Sequence, residues 1–295
     1  MPTLETRTTT PGGVIHDIGY QRYDGPRLGR RYVVGSLYLH GLRTAFGLGR
    51  SAKAKIFPWL IVGIVTVVAA VLTAVRAQFG EVVMTYAQFA GSMSWLLIFF
   101  VAVLAPELVS RDLHSGVLPL YFSRPLRRSD YALAKLAALA SAVWLLLGGP
   151  QLLMFAGGAF TTKTGMRGVW DEFLDLVPGL LYAGMWAVVF ATISLLVASL
   201  TGKRAFAAGG IVAVFLMTTP IVGVLSVMPS RIVNELAFLA SPTTLVQSAG
   251  GWLFPEPGLA MTIGGTGPVY GVALIVLVAA CVALLLARYR KVAAK

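Results

Sequence analysis

Six apolar stretches, each close to the length of about 20 residues that a helix needs to cross a bilayer, constrain this chain most. None holds an Asp, Glu, Lys, Arg or His in its interior. Only 12% of the 295 residues are charged, against about a quarter in soluble domains. The sequence therefore predicts an all-α membrane protein with six transmembrane helices, at Phe57–Val75, Tyr86–Ala105, Leu136–Ala156, Val177–Leu200, Ala205–Met228 and Val269–Ala287.

Lysine and arginine are distributed unevenly around these stretches. With the N-terminus placed inside the cell, 20 of the 24 Lys and Arg residues fall in inner segments and four in outer ones. Because positive residues collect on the cytoplasmic side of membrane helices, both termini and the connection between the second and third spans are predicted to be cytoplasmic. The same rule accounts for the net charge of +12, so no nucleic-acid partner is expected.

The chain divides into three segments. Residues 1–56 form a cytoplasmic N-terminal segment, residues 57–288 the six-span domain, and residues 289–295 a basic cytoplasmic tail. The N-terminal segment has no early apolar core of the kind that a signal peptide carries. An amphipathic helix at the inner interface is predicted from about Pro26 to Gly47, and a solvated basic linker is the alternative. Its apolar residues, opposite Arg30 and Arg43, are Leu28, Tyr32, Leu39, Leu42 and Phe46.

Glycine and proline punctuate two further places. Gly148, Gly149 and Pro150 predict a kink or a break in the third span. In the long connection before the last span, Ser241 followed by Pro242 predicts a helix N-cap with proline at the first helical position. Two short helices that meet at Ser241, and do not span the membrane, are expected there.

Motifs for catalysis and for cofactor or metal binding are missing. The chain has neither the phosphate-binding GxxxxGK[ST] nor the zinc motif HExxH. His16, His40 and His114 do not show metal-ligand spacing, and the single cysteine, Cys281, lies in an apolar run. Ion-coupled carriers usually need ionisable groups within their spans, so that class is disfavoured. We expect no catalytic, cofactor-binding or metal site on this chain, and any energy for transport must come from another polypeptide.

The connection between the second and third spans concentrates charge between two apolar stretches. Gly116, Pro119 and Pro125 prevent one continuous helix there, and Ser123 with Pro125 can begin a short one. Leu126 and Tyr131 are expected to offer apolar anchors, while arginines donate charge-assisted hydrogen bonds. In the alternative interpretation, the arginines only hold lipid headgroups. The charged residues are Glu107, Arg111, Asp112, Arg124, Arg127, Arg128, Asp130 and Lys135.

This connection resembles the first cytoplasmic loop of ABC-2 type transporter permeases. It departs from the common pattern at Val117, where threonine often follows the glycine. The six-span layout, the basic helix before the first span and the short outer helices extend the resemblance over nearly the whole chain. The matching positions are Asp112, Ser115, Gly116, Ser123-Arg124-Pro125, Arg128, Asp130-Tyr131 and Lys135.

The resemblance implies the permease subunit of a bacterial ABC exporter in the cytoplasmic membrane. Two permease chains, identical or paralogous, would pair with two copies of a separate P-loop ATPase that carries the ATP and Mg. The apolar spans, which have no charged residues in their interiors, favour a hydrophobic substrate, a drug or a lipid-like molecule. The alternatives are a membrane scaffold that drives assembly or signalling without transport, and a membrane-embedded enzyme. The expected ATPase-coupling residues are Arg111, Asp112, Gly116, Ser123, Arg124, Pro125, Arg127, Arg128 and Tyr131.

Overall fold

The computed structural model describes residue 25 and residues 28–49, 51–116, 121, 126–255 and 264–292. All regular structure in these ranges is helical, which confirms the all-α prediction. In chain order the elements are α1 (Arg30–Ala45), α2 (Ala52–Phe79), α3 (Tyr86–Ser92), α4 (Ser94–Ala105), a π-helical turn (Pro106–Ser110), α5 (Arg111–His114), α6 (Arg128–Thr161), α7 (Met166–Leu200), α8 (Arg204–Leu225), α9 (Arg231–Leu236), a 3-10 turn (Ala237–Ala240), α10 (Pro242–Leu253), a second 3-10 turn (Gly264–Thr266) and α11 (Gly267–Val292).

Five of these helices are long and apolar enough to cross a membrane: α2, α6, α7, α8 and α11. The predicted second span is not one straight helix, because α3 and the helix that follows it meet at an angle of 55°. The bend lies next to Gly91-Ser92, a pair of the kind that often marks kinks. The Ser92 hydroxyl donates to the carbonyl of Phe89 at 2.9 Å and so competes with the helical hydrogen bonds. Counted as one span, this bent pair is the sixth.

Two of the long helices extend well beyond the predicted apolar stretches. Helix α6 begins at Arg128 instead of Leu136, and α7 begins at Met166 instead of Val177. These extensions carry charged residues, and three of them, Asp130, Lys135 and Glu172, form ion pairs with other parts of the chain. Helix α6 also runs through Pro150 without interruption, so the predicted alternative of a break in the third span is wrong. Membrane helices tolerate an internal proline where neighbouring helices pack around it, and Pro150 is buried.

The centre of the structure is α7, which packs against α3, α4, α6, α8 and α11. Tyr182, Trp186 and Phe190 recur every four residues on one face of α7 and are fully buried. The Phe190 ring stacks on Phe215 of α8, with ring centroids 4.3 Å apart. By contrast, α2, α8 and α11 expose large apolar side chains on their outer faces, as helices in contact with lipid do.

The two short helices before the last span are present. Ser241 has an extended backbone and Pro242 is the first residue of α10, which confirms the predicted break. The Ser241 side chain does not cap the helix. Its hydroxyl instead lies 3.0 Å from that of Thr218 in α8 and 2.8 Å from that of Thr243, so it ties the break to a neighbouring span.

Helix α1 confirms the helix predicted in the N-terminal segment, but its contact face differs from the predicted apolar set. Leu28, Tyr32 and Leu39 of that set are exposed, whereas Leu42 and Phe46 are partly buried against the core. The fully buried residues of α1 are Leu37, Gly41 and Ala45, and Gly41 lies against Ala138 of α6. The small residues decide this face, because they let two helices approach closely.

At Gly41, α1 approaches α6 closely. A Cβ atom added at Gly41 would lie 2.9 Å from the Cβ of Ala138 in α6, so a larger side chain needs the helices to separate. Gly35, on the same helix, has nothing within 4 Å of the corresponding position.

Substitution of Gly41 with leucine is expected to lower the melting temperature of the purified protein in detergent. Overpacking a tight site costs about 1–3 kcal/mol. Gly35→Leu serves as the matched control and should melt at the wild-type temperature or slightly above it, because leucine favours helix more than glycine does. Equal melting temperatures for the two variants would contradict the close packing of α1 on α6.

Candidate functional site

The charged connection between the second and third spans begins with a change of helical geometry. Helix α4 passes into a π-helical turn at Pro106–Ser110 and then into the short helix α5. Gly116 ends this stretch with a φ of 64°, the left-handed conformation that commonly follows a helix and that glycine adopts without strain. Gly116, an expected coupling residue, therefore has a local role in turning the chain.

A buried ion pair closes the connection. The Lys135 ammonium lies 2.9 Å from the Oδ2 atom of Asp112, and the two side chains are only 4% and 15% exposed. The Tyr131 hydroxyl donates to the same oxygen at 2.7 Å. Asp112, an expected coupling residue, is therefore paired within the chain with Lys135. The end of α5 is fixed to the first turns of α6.

Aromatic side chains extend this cluster to the last helix. The Tyr131 ring lies between Tyr121 and Tyr289, with centroid distances of 5.6 and 5.2 Å. Arg128 at the start of α6 also donates to the carbonyl of Arg290 at 2.9 Å. Helix α11 is therefore joined to the same end of α6.

The π-helical turn is bound to the hairpin of α7 and α8. Glu107 forms an ion pair with Arg204 at the start of α8. The buried Ser110 hydroxyl donates to the carbonyl of Ala198 in α7 at 2.8 Å. π-Helical turns within helices are often found at functional sites, and this one contacts two other spans through its side chains.

Helix α1 is attached at the same end of the bundle. The Arg30 guanidinium donates to both carboxylate oxygens of Asp130, each at 2.6 Å, and this hydrogen bonding raises the pKa of Arg30 above its ordinary value. Asp130 also accepts from the backbone N–H of Arg127 at 3.1 Å. One carboxylate thus caps α6 and holds α1.

The expected coupling residues divide by exposure. Arg111, Arg127 and Arg128 are exposed, whereas Tyr131 is fully buried. Leu126, predicted with Tyr131 as an apolar anchor, is also buried within this chain, so neither presents its side chain to a partner. Ser123, Arg124 and Pro125, and the short helix predicted to start at Ser123, lie outside the described residues.

A second buried ion pair lies at the opposite end of the helices. Arg76 of α2 donates to both oxygens of Glu172 of α7, each at 2.6 Å, and Tyr86 of α3 donates to the same carboxylate. Gln151 of α6, fully buried, donates to the carbonyl of Tyr86 at 3.2 Å. Together these contacts join four helices, and a small cavity of about 220 Å³ lies beside them.

Sequence reasoning missed these pairings, although some signals were present. Asp130 follows Arg127 by three residues, the spacing of a capping box. Lys135 lies next to an apolar stretch, where a charge needs a partner. Within the described ranges no group of three or more His, Cys, Asp or Glu side chains is placed to hold a metal ion.

Comparisons of the whole sequence with models of known protein families and with curated proteins return no match. The family resemblance therefore rests on the residues of the connection and on the order of the predicted spans.

The buried pair can be tested by its stability effect. Asp112→Asn leaves the Lys135 ammonium without its counter-charge, which should destabilise the protein by about 3–5 kcal/mol. The double variant Asp112→Asn with Lys135→Met removes both charges and should recover most of this loss. Thermal unfolding in detergent, compared across wild type, both single variants and the double variant, gives the coupling between the two residues. Additive effects would contradict a direct interaction.

Proposed function

We propose that the chain is the membrane permease subunit of an ATP-driven exporter of the ABC-2 type. The observation that supports this proposal best is the attachment of the charged connection to several spans at once. Through Glu107, Ser110, Asp112 and Arg128 it is bound to α8, α7, α6 and α11. A force applied to this one connection is transmitted to most of the membrane domain.

The proposed partner is a separate P-loop ATPase that binds the outer surface of the connection. Exposed arginines at Arg111 and Arg127 suit carboxylates on that partner, because guanidinium–carboxylate hydrogen bonds are charge-assisted and often bidentate. Arg124 adds a third positive charge in the sequence between them. ATP and Mg belong to the partner, and its closure on nucleotide would push on the connection from the cytoplasm.

The proposed transport path suits a hydrophobic substrate such as a drug or a lipid-like molecule. The apolar stretches have no Asp, Glu, Lys, Arg or His in their interiors, and the hydroxyls of Thr218 and Ser241 are hydrogen-bonded to each other. Outward apolar faces of α2, α8 and α11 give a second permease chain apolar surface to pack on. The proposal therefore comprises two permease chains and two ATPase chains.

Charge reversal in the connection tests the ATPase contact. The affinity-tagged chain is purified from membranes of its own host, and ATP hydrolysis and any P-loop protein are measured in the eluate. Arg124→Glu with Arg127→Glu should reduce both by about tenfold or more, because like charges then face each other and two charge-assisted contacts are lost. Arg167→Glu, an exposed arginine on α7 near the opposite end of the bundle, is the matched control and should keep wild-type levels.

Transport is measured separately from binding. Vesicles that contain the purified complex should move a hydrophobic fluorescent dye only when ATP is supplied. ATPase binding without movement of any tested solute or lipid would favour the scaffold alternative. A chain that purifies without an ATPase and moves the dye without nucleotide would rule out the proposal.

A further inference from the structure

A large cavity of about 1180 Å³ lies between α1 and the connection that follows the second span. One wall is the face of α1 that carries His40 and Arg43, and the other carries Glu107, Arg111 and Asp112. The cavity is open on one side, and the exposed side chains of Tyr32 and Leu48 form part of its apolar rim.

The charges around this cavity do not balance. Its two carboxylates already have partners, since Glu107 pairs with Arg204 and Asp112 with Lys135. Neither Arg43 nor Arg111 makes an ion pair or a side-chain hydrogen bond with the residues that the structure describes. Within the described part of the chain, two guanidinium groups therefore line one cavity without a counter-charge. His40 adds a further side chain that can donate a hydrogen bond.

We propose that this cavity binds the headgroup phosphate of an acidic phospholipid. A guanidinium matches phosphate oxygens with paired, charge-assisted hydrogen bonds. Basic pockets beside membrane helices are known to bind acidic lipid headgroups. The apolar rim favours a lipid over a free phosphate ion, because Tyr32 and Leu48 can contact the glycerol and acyl portion that follows the phosphate. The ligand class is thus a phosphodiester anion attached to a hydrophobic tail.

Such a lipid would add a contact between two elements that line opposite walls of the cavity. Arg43 belongs to α1, and Arg111 to the helix that continues the second span. A phosphate between them would offset the repulsion of two like charges and hold α1 against the connection. This inference depends on the chain lying in a membrane and does not depend on the proposed ATPase or on transport.

The experiment measures lipid binding to the purified chain without nucleotide or partner. Delipidated protein in neutral detergent is titrated with phosphatidylglycerol or with phosphatidylcholine, and thermal stability and lipid retained in native mass spectrometry are recorded. Phosphatidylglycerol should stabilise the protein and remain bound, whereas phosphatidylcholine should do neither. Arg43→Gln with Arg111→Gln should weaken the apparent affinity for phosphatidylglycerol by about tenfold or more, because two charge-assisted contacts are lost.

The matched control is Arg31→Gln, which removes the same charge from the same helix. Arg31 is exposed on α1 and does not line this cavity, so its variant should bind phosphatidylglycerol as the wild type does. An equal loss of affinity in Arg31→Gln would show that diffuse surface charge binds the lipid, and this would contradict a specific site in the cavity. Two other results would contradict an acidic lipid headgroup as the ligand. One is that the protein retains phosphatidylcholine as well as it retains phosphatidylglycerol. The other is that glycerol phosphate, at the same concentration, raises the melting temperature as much as phosphatidylglycerol does.

Discussion

The ion pair between Asp112 and Lys135 is the interaction on which the candidate site depends. A charge removed from water is stable only with a counter-charge and further hydrogen bonds, and Tyr131 supplies one of these. Because Asp112 lies after the second span and Lys135 within α6, the pair brings the two ends of the connection together. The adjoining contacts of Tyr131 with Tyr289 and of Arg128 with Arg290 follow from where this pair places the start of α6.

Local sequence signals predicted much of the fold. Six apolar stretches gave the positions of the long helices, and Ser241-Pro242 gave the break before α10. The contacts between distant residues were not predictable in the same way. Arg30 and Asp130 are 100 positions apart, and Glu107 and Arg204 are 97 apart. No periodicity relates such residues, because their proximity depends on how whole helices pack. The starts of α6 and α7 were missed for the same reason. Charged residues can remain helical beyond an apolar stretch where a distant partner neutralises them.

Helix α1 shows why hydrophobicity alone does not identify a contact face in a membrane protein. In water an apolar side chain gains from burial against protein, whereas beside lipid both surroundings are apolar and this preference is lost. The predicted set that contains Tyr32 and Leu39 was chosen by hydrophobicity, and both residues are exposed. Gly41 lies against Ala138 of α6 instead, because small residues allow the close approach of two helices.

The charged residues at this end of the bundle fall into two groups with different physical roles. Glu107, Asp112, Asp130 and Lys135 are paired within the chain, so their interaction energy holds the spans in one arrangement. Arg43, Arg111 and Arg127 are exposed and keep their capacity to bind an anion. Arg111 lies both on the cavity wall and on the connection proposed to face the ATPase. A lipid phosphate held there would reduce the positive charge offered to carboxylates on the partner, so acidic lipid and ATPase binding would be linked through this one guanidinium.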